Sequence, residues 1–282
     1  MSLSLKMKMK MKMSTGMQKW LVLFRKEWLE IVRSYRILWL PIAFAVLGAS
    51  QPITSFFMPD ILASAGNLPE GTVISIPAPT PPEALAGALS QFGAIGLLLV
   101  ALSSMGAVSG ERTSGTSAMI LVKPVPFASF ITAKWAALVL LASLSLAAGY
   151  GAAWYYTETL FGSVSWRDAL PAVLLFALWM SFVGTLTLLF SALLRSAAAA
   201  AAAALATAAA LSLSASSLPF EQSWNPGRLS ALAAGRLVAS AASPAGGQTA
   251  GDVWLTVAVT AIAMLAALFA SARAVRRRPA DA

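Results

Sequence analysis

The chain contains no cysteine and no histidine. The first absence excludes disulfides and thiol chemistry. The second excludes His-ligated metal sites and every Ser-His or Cys-His mechanism. Charge is scarce as well. Only 11% of residues are Asp, Glu, Lys or Arg, where a soluble domain carries about 25%, too few to coat a water-facing surface. The dipeptide Gly-Lys is missing, so no G-x-x-x-x-G-K-[ST] loop exists to cradle ATP phosphates. What is abundant is apolar surface: 58% of the 282 residues are hydrophobic, and the mean hydropathy is +0.75. The formal charge of +9 would suggest nucleic acid in a soluble protein. In an apolar chain it points instead to loops held on the cytoplasmic side of a bilayer, with no nucleic-acid partner.

A helix needs about 20 predominantly apolar residues to cross the hydrocarbon core. Six windows provide them, at about 37–58, 86–108, 135–157, 169–194, 196–218 and 253–272. The expected fold is therefore an all-α polytopic membrane protein. The fifth window opens with the run Ala197 to Ala204. Small residues let helices approach closely in lipid, so it reads as a span packed inside the bundle, with an interfacial helix as the alternative. With both termini in the cytoplasm, 17 of the 20 cations fall inside, leaving Arg167, Arg228 and Arg236 outside with seven of the 11 acids. Trp154, Tyr155, Tyr156, Trp166 and Trp254 gather at the expected outer interface as an aromatic belt.

Residues 1–16 alternate Lys and Met before any span begins. They read as a disordered, lipid-attracted basic tail, or as an upstream start-site artefact if translation begins at Met17. Residues 17–36 have the pattern of an amphipathic elbow helix. Trp20, Phe24, Trp28, Ile31 and Tyr35 share a face expected to lie in the membrane, opposite Lys19, Lys26, Glu30 and Arg33. The six-helix domain runs over 37–278, with a tail at 279–282. Its outer loops are 59–85, 158–168 and 219–252. In the first, Thr80-Pro81-Pro82-Glu83 fits a capping box that starts the second helix near residue 81. In the last, residues 228–243 are too short and polar to span, and read either as a re-entrant helix or as one lying on the surface.

The cytoplasmic loop 109–130 carries the most information. Glu111 and Arg112 sit just inside the membrane, Gly115-Thr116 follow, then a short apolar helix over Met119, Ile120 and Val122 is stopped by Lys123-Pro124-Val125-Pro126. A partly apolar helix bracketed by charges suits a protein partner; a tight turn resting on headgroups is the plainer reading. The span windows themselves hold no ionisable group, although carriers and pumps with their own coupling usually do. Uphill transport would need energy from another subunit.

These features resemble the permease subunits of type-2 ABC exporters. The resemblance covers residues 17–278. It rests on the helix order, the elbow, the loop G-E-R-x-x-G-T-x-x-x-I-L-V-K-P-V-P-F-x-x-F-I-x-x-K-W at 110–135, and FALWMSFVGTLTLLFSALLRS at 176–196. The resemblance implies a multi-pass protein of the bacterial inner membrane, itself without an enzymatic site or a bound cofactor. ATP and Mg would sit on a separate ATPase subunit, and a second permease copy or paralogue would complete the transporter. Glu111, Arg112, Gly115, Thr116, Lys123 and Pro124 would form the ATPase-coupling site, and Lys134 would open the third span. Ser181, Thr185, Thr187, Thr207, Ser212 and Ser214 are hydroxyls available to line a cavity, with hydrogen bonding between helices the expected role for most of them. No charge points to an anionic or cationic cargo, which mildly favours a hydrophobic or amphipathic one. A non-transporting membrane scaffold or assembly factor with the same bundle is the alternative function.

Overall fold

The computed structural model describes residues 2–64, 79–114, 126–217, 222–242 and 250–277, with side chains from Gly16 onward except at 62–64, 239–242 and 250. Among these residues there are helices and no strand. We number them α1 (Ser2–Arg33), α2 (Arg36–Ser64), α3 (Pro81–Thr113), α4 (Phe127–Leu160), α5 (Trp166–Leu193), α6 (Ala197–Ser217), α7 (Arg228–Ala242) and α8 (Ala250–Arg277). All but α1 and α7 are long and apolar enough to cross a membrane. Short turns between α4, α5 and α6 make these neighbours antiparallel. The starts of α2, α4 and α6 therefore lie at one end of the bundle, with the ends of α3, α5 and α8. Arg36, Arg112, Arg195, Arg273, Arg276 and Arg277 mark this basic end. Exposed Tyr155, Trp166 and Trp254 lie at the other.

The helix boundaries follow local chemistry. α3 begins at Pro81, whose missing N–H has no helical partner to lose, and the Thr80 N–H donates to Glu83 Oε2 at 2.7 Å. Between α1 and α2 the chain turns at Tyr35, with φ of 56°. α3 is one helix with two irregularities: a π turn over Phe92–Gly96 and a turn at 105–108 before its last residues.

The core is built where small residues let helices meet. α2 and α4 pack most extensively. A Cβ placed on Gly48 would lie 2.0 Å from the carbonyl oxygen of Gly149. Beside this crossing, Phe44 stacks on Phe92 at 5.4 Å and Phe92 meets Phe176 at 6.4 Å, joining α2, α3 and α5. α6 differs from its sequence reading. It is not enclosed by the bundle: Ala200, Ala201, Ala204 and Ala208 are buried, and the opposite face is open. A helix of alanines presents one narrow face that packs closely against α5, and has little side chain with which to gather further neighbours.

α7 is packed into the bundle. Leu229, Leu232, Ala233 and Leu237 are buried where it meets α5 and α3. The return from α6 is fixed by Asn225, which is fully buried. Its amide donates to the Leu211 carbonyl (3.1 Å), Ser214 Oγ (2.9 Å) and Gln222 Oε1 (2.8 Å), and its own oxygen accepts from the Gly227 N–H at 2.8 Å. Only glycine fits at 227, since a Cβ there would stand 2.3 Å from the Leu211 oxygen. Asn225→Ala strands several of these buried groups and should cost about 1–3 kcal/mol. Limited proteolysis of 218–227 will read the loss; cleavage no faster than in the parent protein would contradict it.

Candidate functional site

At the basic end, three elements far apart in sequence contribute ionisable side chains to one cluster, buried at Glu27, Glu111 and Lys134 and more open at Lys26 and Glu30. α1 supplies Lys26, Glu27 and Glu30. The last turns of α3 supply Glu111, and the second turn of α4 supplies Lys134. Lys134 is 2% exposed. Its Nζ donates to both oxygens of Glu27 at 2.9 Å and lies 2.9 Å from Glu111 Oε1. Lys26 donates to Glu111 Oε1, to Glu27 Oε1 at 3.0 Å and pairs with Glu30 at 3.2 Å. The Phe130 ring lies 5.0 Å from the Lys134 ammonium.

The sequence explains how these groups converge. On α1, Glu27 is set into the same stripe as Trp20, Phe24 and Ile31, at helical spacing. The stripe and its carboxylate therefore face the same way. The expected membrane face is in fact a protein contact. Trp20 Nε1 donates to Thr132 Oγ1 of α4 at 3.1 Å, Phe24 stacks between Trp20 and Trp28, Phe24 and Trp28 pack on the core, and Ile31 is buried. Tyr35 is 68% exposed in the turn and lies off the stripe. Among the apolar side chains of α1, Leu21, Val22, Leu29 and Val32 are open to the surroundings beside the stripe, and Met17 is open at its start.

Burial pulls the Lys26 ammonium toward deprotonation, but its bonds to Glu111 and Glu27 outweigh this and hold its pKa above the ordinary lysine value. A raised lysine pKa stabilises the fold fully below the unfolded value, near 10.4, and the contribution is lost only as pH rises through the folded value. Lys26 therefore keeps its charge at neutral pH. Ligand oxygens of Glu27, Glu30 and Glu111 lie within 4.8 Å of one another, a spacing that would also suit a metal ion. Here the ammonium groups of Lys26 and Lys134 lie among them and compensate their charge. Glu111 Oε2 is buried without a hydrogen-bond partner among the described residues.

Of the residues expected to couple to an ATPase, Glu111 is in this cluster and Arg112 follows it, partly buried. Gly115, Thr116, Lys123 and Pro124 lie outside the described residues. The span windows are free of charge, but the helices containing them are longer. Lys134 lies two turns inside α4, so the apolar bundle does hold a buried ionic group at its basic end.

Comparison with known proteins fits this architecture. Residues 21–223 match the family described as ABC-2 family transporter protein. Over 213 residues the chain is 37% identical to the uncharacterized transmembrane protein YxlG of Bacillus subtilis (strain 168), a match spanning 76% of this chain and 83% of that protein. The chain belongs to the ABC-2 transporter family. It is a multi-pass, permease-type membrane protein.

The hydroxyls expected to line a cavity in this ABC-2 permease mostly serve its helices instead. Thr187 and Thr207 donate to the carbonyls of Val183 and Ala203. Thr185 donates to Ser181 O and accepts from Trp135 Nε1 at 2.9 Å. Ser181 borders a void of only about 10 Å³, and Ser214 is taken by Asn225. Ser212 alone of the set borders a large cavity, of about 930 Å³, among α3, α5, α6 and α7. Ser191 has a role the sequence did not signal. Its hydroxyl donates to Met105 O at 2.7 Å and accepts from the N–H groups of Val108 and Ser109, both at 3.1 Å. It thereby satisfies the broken backbone of α3 just above Glu111.

Proposed function

We propose that the chain is the membrane subunit of an ATP-driven exporter in a bacterial inner membrane, working with a second permease copy or paralogue. A separate ATPase subunit, holding ATP and Mg, docks on the loop 109–130 at the cytoplasmic face, and both chain termini lie on that side. The observation that carries this reading is the cluster of Lys26, Glu27, Glu111 and Lys134. α3 ends at Thr113, two residues after Glu111, and α4 begins at Phe127, two turns before Lys134, so a protein that displaces the loop between them pulls on both ends of the cluster. α1 is tied to the same point through Glu27. Buried ion pairs hold one geometry well and intermediate geometries poorly, which suits a switch between two packings biased by ATP on the partner.

Purification of the tagged protein from native membranes tests this. A P-loop ATPase subunit should accompany it, and Glu111→Lys should lower the transport-linked ATPase activity by about tenfold or more while the protein still inserts. If no ATPase accompanies the parent protein and Glu111→Lys leaves that activity unchanged, the coupling assignment fails.

A further inference from the structure

The cavity of about 930 Å³ among α3, α5, α6 and α7 is at the upper end of the range for small-molecule pockets, about 300–1,000 Å³. Its walls are mainly apolar, with Leu89, Leu98, Trp179, Leu205 and Leu213 prominent. One lining residue among those described is charged: Arg228. Its guanidinium is partly buried, and Nη1 has no hydrogen-bond partner among the described residues. No carboxylate among those residues forms an ion pair with it.

A guanidinium is always charged and carries five donors, so leaving it beside apolar walls without a carboxylate is costly unless an anion comes to it. Its position strengthens the argument. Arg228 is the first residue of α7, where the helix dipole adds positive potential. The hydroxyls of Ser212, Ser216 and Ser230 also border the cavity, the last two donating to the carbonyls of Leu213 and Gly227. The π turn of α3 places Gly93 in the facing wall, and such turns often mark functional sites in helices. The apolar walls extend from Leu89 to Leu98, about 12–26 Å along α3 from its start at Pro81, which is the depth of acyl chains. We infer that the cavity binds an amphipathic anion of the bilayer, an acyl-chain lipid whose headgroup carries net negative charge and is held there by Arg228.

The inference names a ligand class for the permease proposed above and rests on that reading. Its test uses the full chain without any ATPase subunit, so its failure would leave the coupling assignment standing. The protein is placed in phosphatidylcholine nanodiscs containing, at matched mole fraction, brominated phosphatidylglycerol or brominated phosphatidylcholine with the same chains. Quenching of Trp179, taken as the difference from Trp179→Phe, reports occupancy. Phosphatidylglycerol should be preferred by about tenfold, the scale of one charge-assisted contact. Arg228→Gln should abolish the preference and Arg228→Lys should retain most of it. Ser216→Glu, at an exposed position of the lining, supplies a competing carboxylate and should abolish the preference without altering Arg228. This second variant keeps the test decisive if Arg228→Gln does not fold. Equal quenching by both lipids overturns the inference. So does the absence of Trp179 quenching by either, the result expected if a second copy of the chain fills the cavity.

Discussion

Replacing Lys134 with methionine will destabilise the protein by about 3–5 kcal/mol, the usual result of removing one member of a buried ion pair. The side chain is 2% exposed, so water cannot take its place. Among the described residues it is the only cation in contact with both oxygens of Glu27, and it shares Glu111 with Lys26. Its loss leaves two mostly buried carboxylates close together, with one half-exposed ammonium to serve both. Thermal unfolding in detergent will show the effect as a large fall in midpoint, with a smaller fall for Lys26→Met because Lys26 retains contact with solvent. Converting Glu27, Glu111 and Lys134 together to methionine removes all three charges and should recover most of the stability, since a well-packed apolar set of similar volume often replaces a buried ionic group without loss. That triple variant separates two roles. A cluster that only held the fold would leave ATPase coupling intact in the triple variant, whereas a cluster that transmits motion would leave it uncoupled though stable. A single variant that unfolds with the parent protein would show that the cluster is not a stabilising unit at all.

The membrane-crossing helices were legible because the bilayer imposes a length and a composition that few other environments demand. The start of α3 was legible too, because Thr80, Pro81 and Glu83 determine it locally. The candidate site was legible only in its loop half. Glu111 and Lys134 stand out beside Gly-Thr and Pro-Val, but Glu27 lies 107 residues from Lys134, and pairing over that distance is set by packing. A signal was present nonetheless. A carboxylate at position 27, on the stripe formed by Trp20, Phe24 and Ile31, is out of place on a face turned to acyl chains. It marks a face turned to protein that offers a cation. Arg228 was hidden for a related reason. In a linear reading it is one of three cations on an outer loop, and only the Asn225–Gly227 turn, folded back onto Leu211, brings it to the cavity. The hydroxyls of α5 bond within the bundle, one of the two roles their sequence allows: in an apolar helix a Ser or Thr satisfies itself most easily on the carbonyl one turn before it.

The second large effect is expected at the crossing of α2 and α4. Gly149→Ala should destabilise the protein by about 1–3 kcal/mol, and Gly149→Leu by more, through overpacking. The reason is which atoms are in the way. A Cβ on Gly149 would stand 2.7 Å from the Phe44 carbonyl oxygen and 2.9 Å from the carbonyl carbon. Backbone cannot rotate aside as a side chain can, so the two helices must separate. Separation also disturbs the Phe44–Phe92–Phe176 stack next to it. Gly151 is the control, two residues along the same helix, where an added Cβ meets no atom within 4 Å. Gly151→Ala should be neutral or gain up to about 1 kcal/mol from helix propensity. Unfolding midpoints of the two alanine variants, measured side by side, will decide the matter, and equal midpoints would refute the close-packing argument. The pair also bears on mechanism. Gly149 lies near the middle of the bundle and touches none of the ionic cluster, so Gly149→Ala should lower the midpoint while the protein that remains folded hydrolyses ATP with its partner at the parent rate.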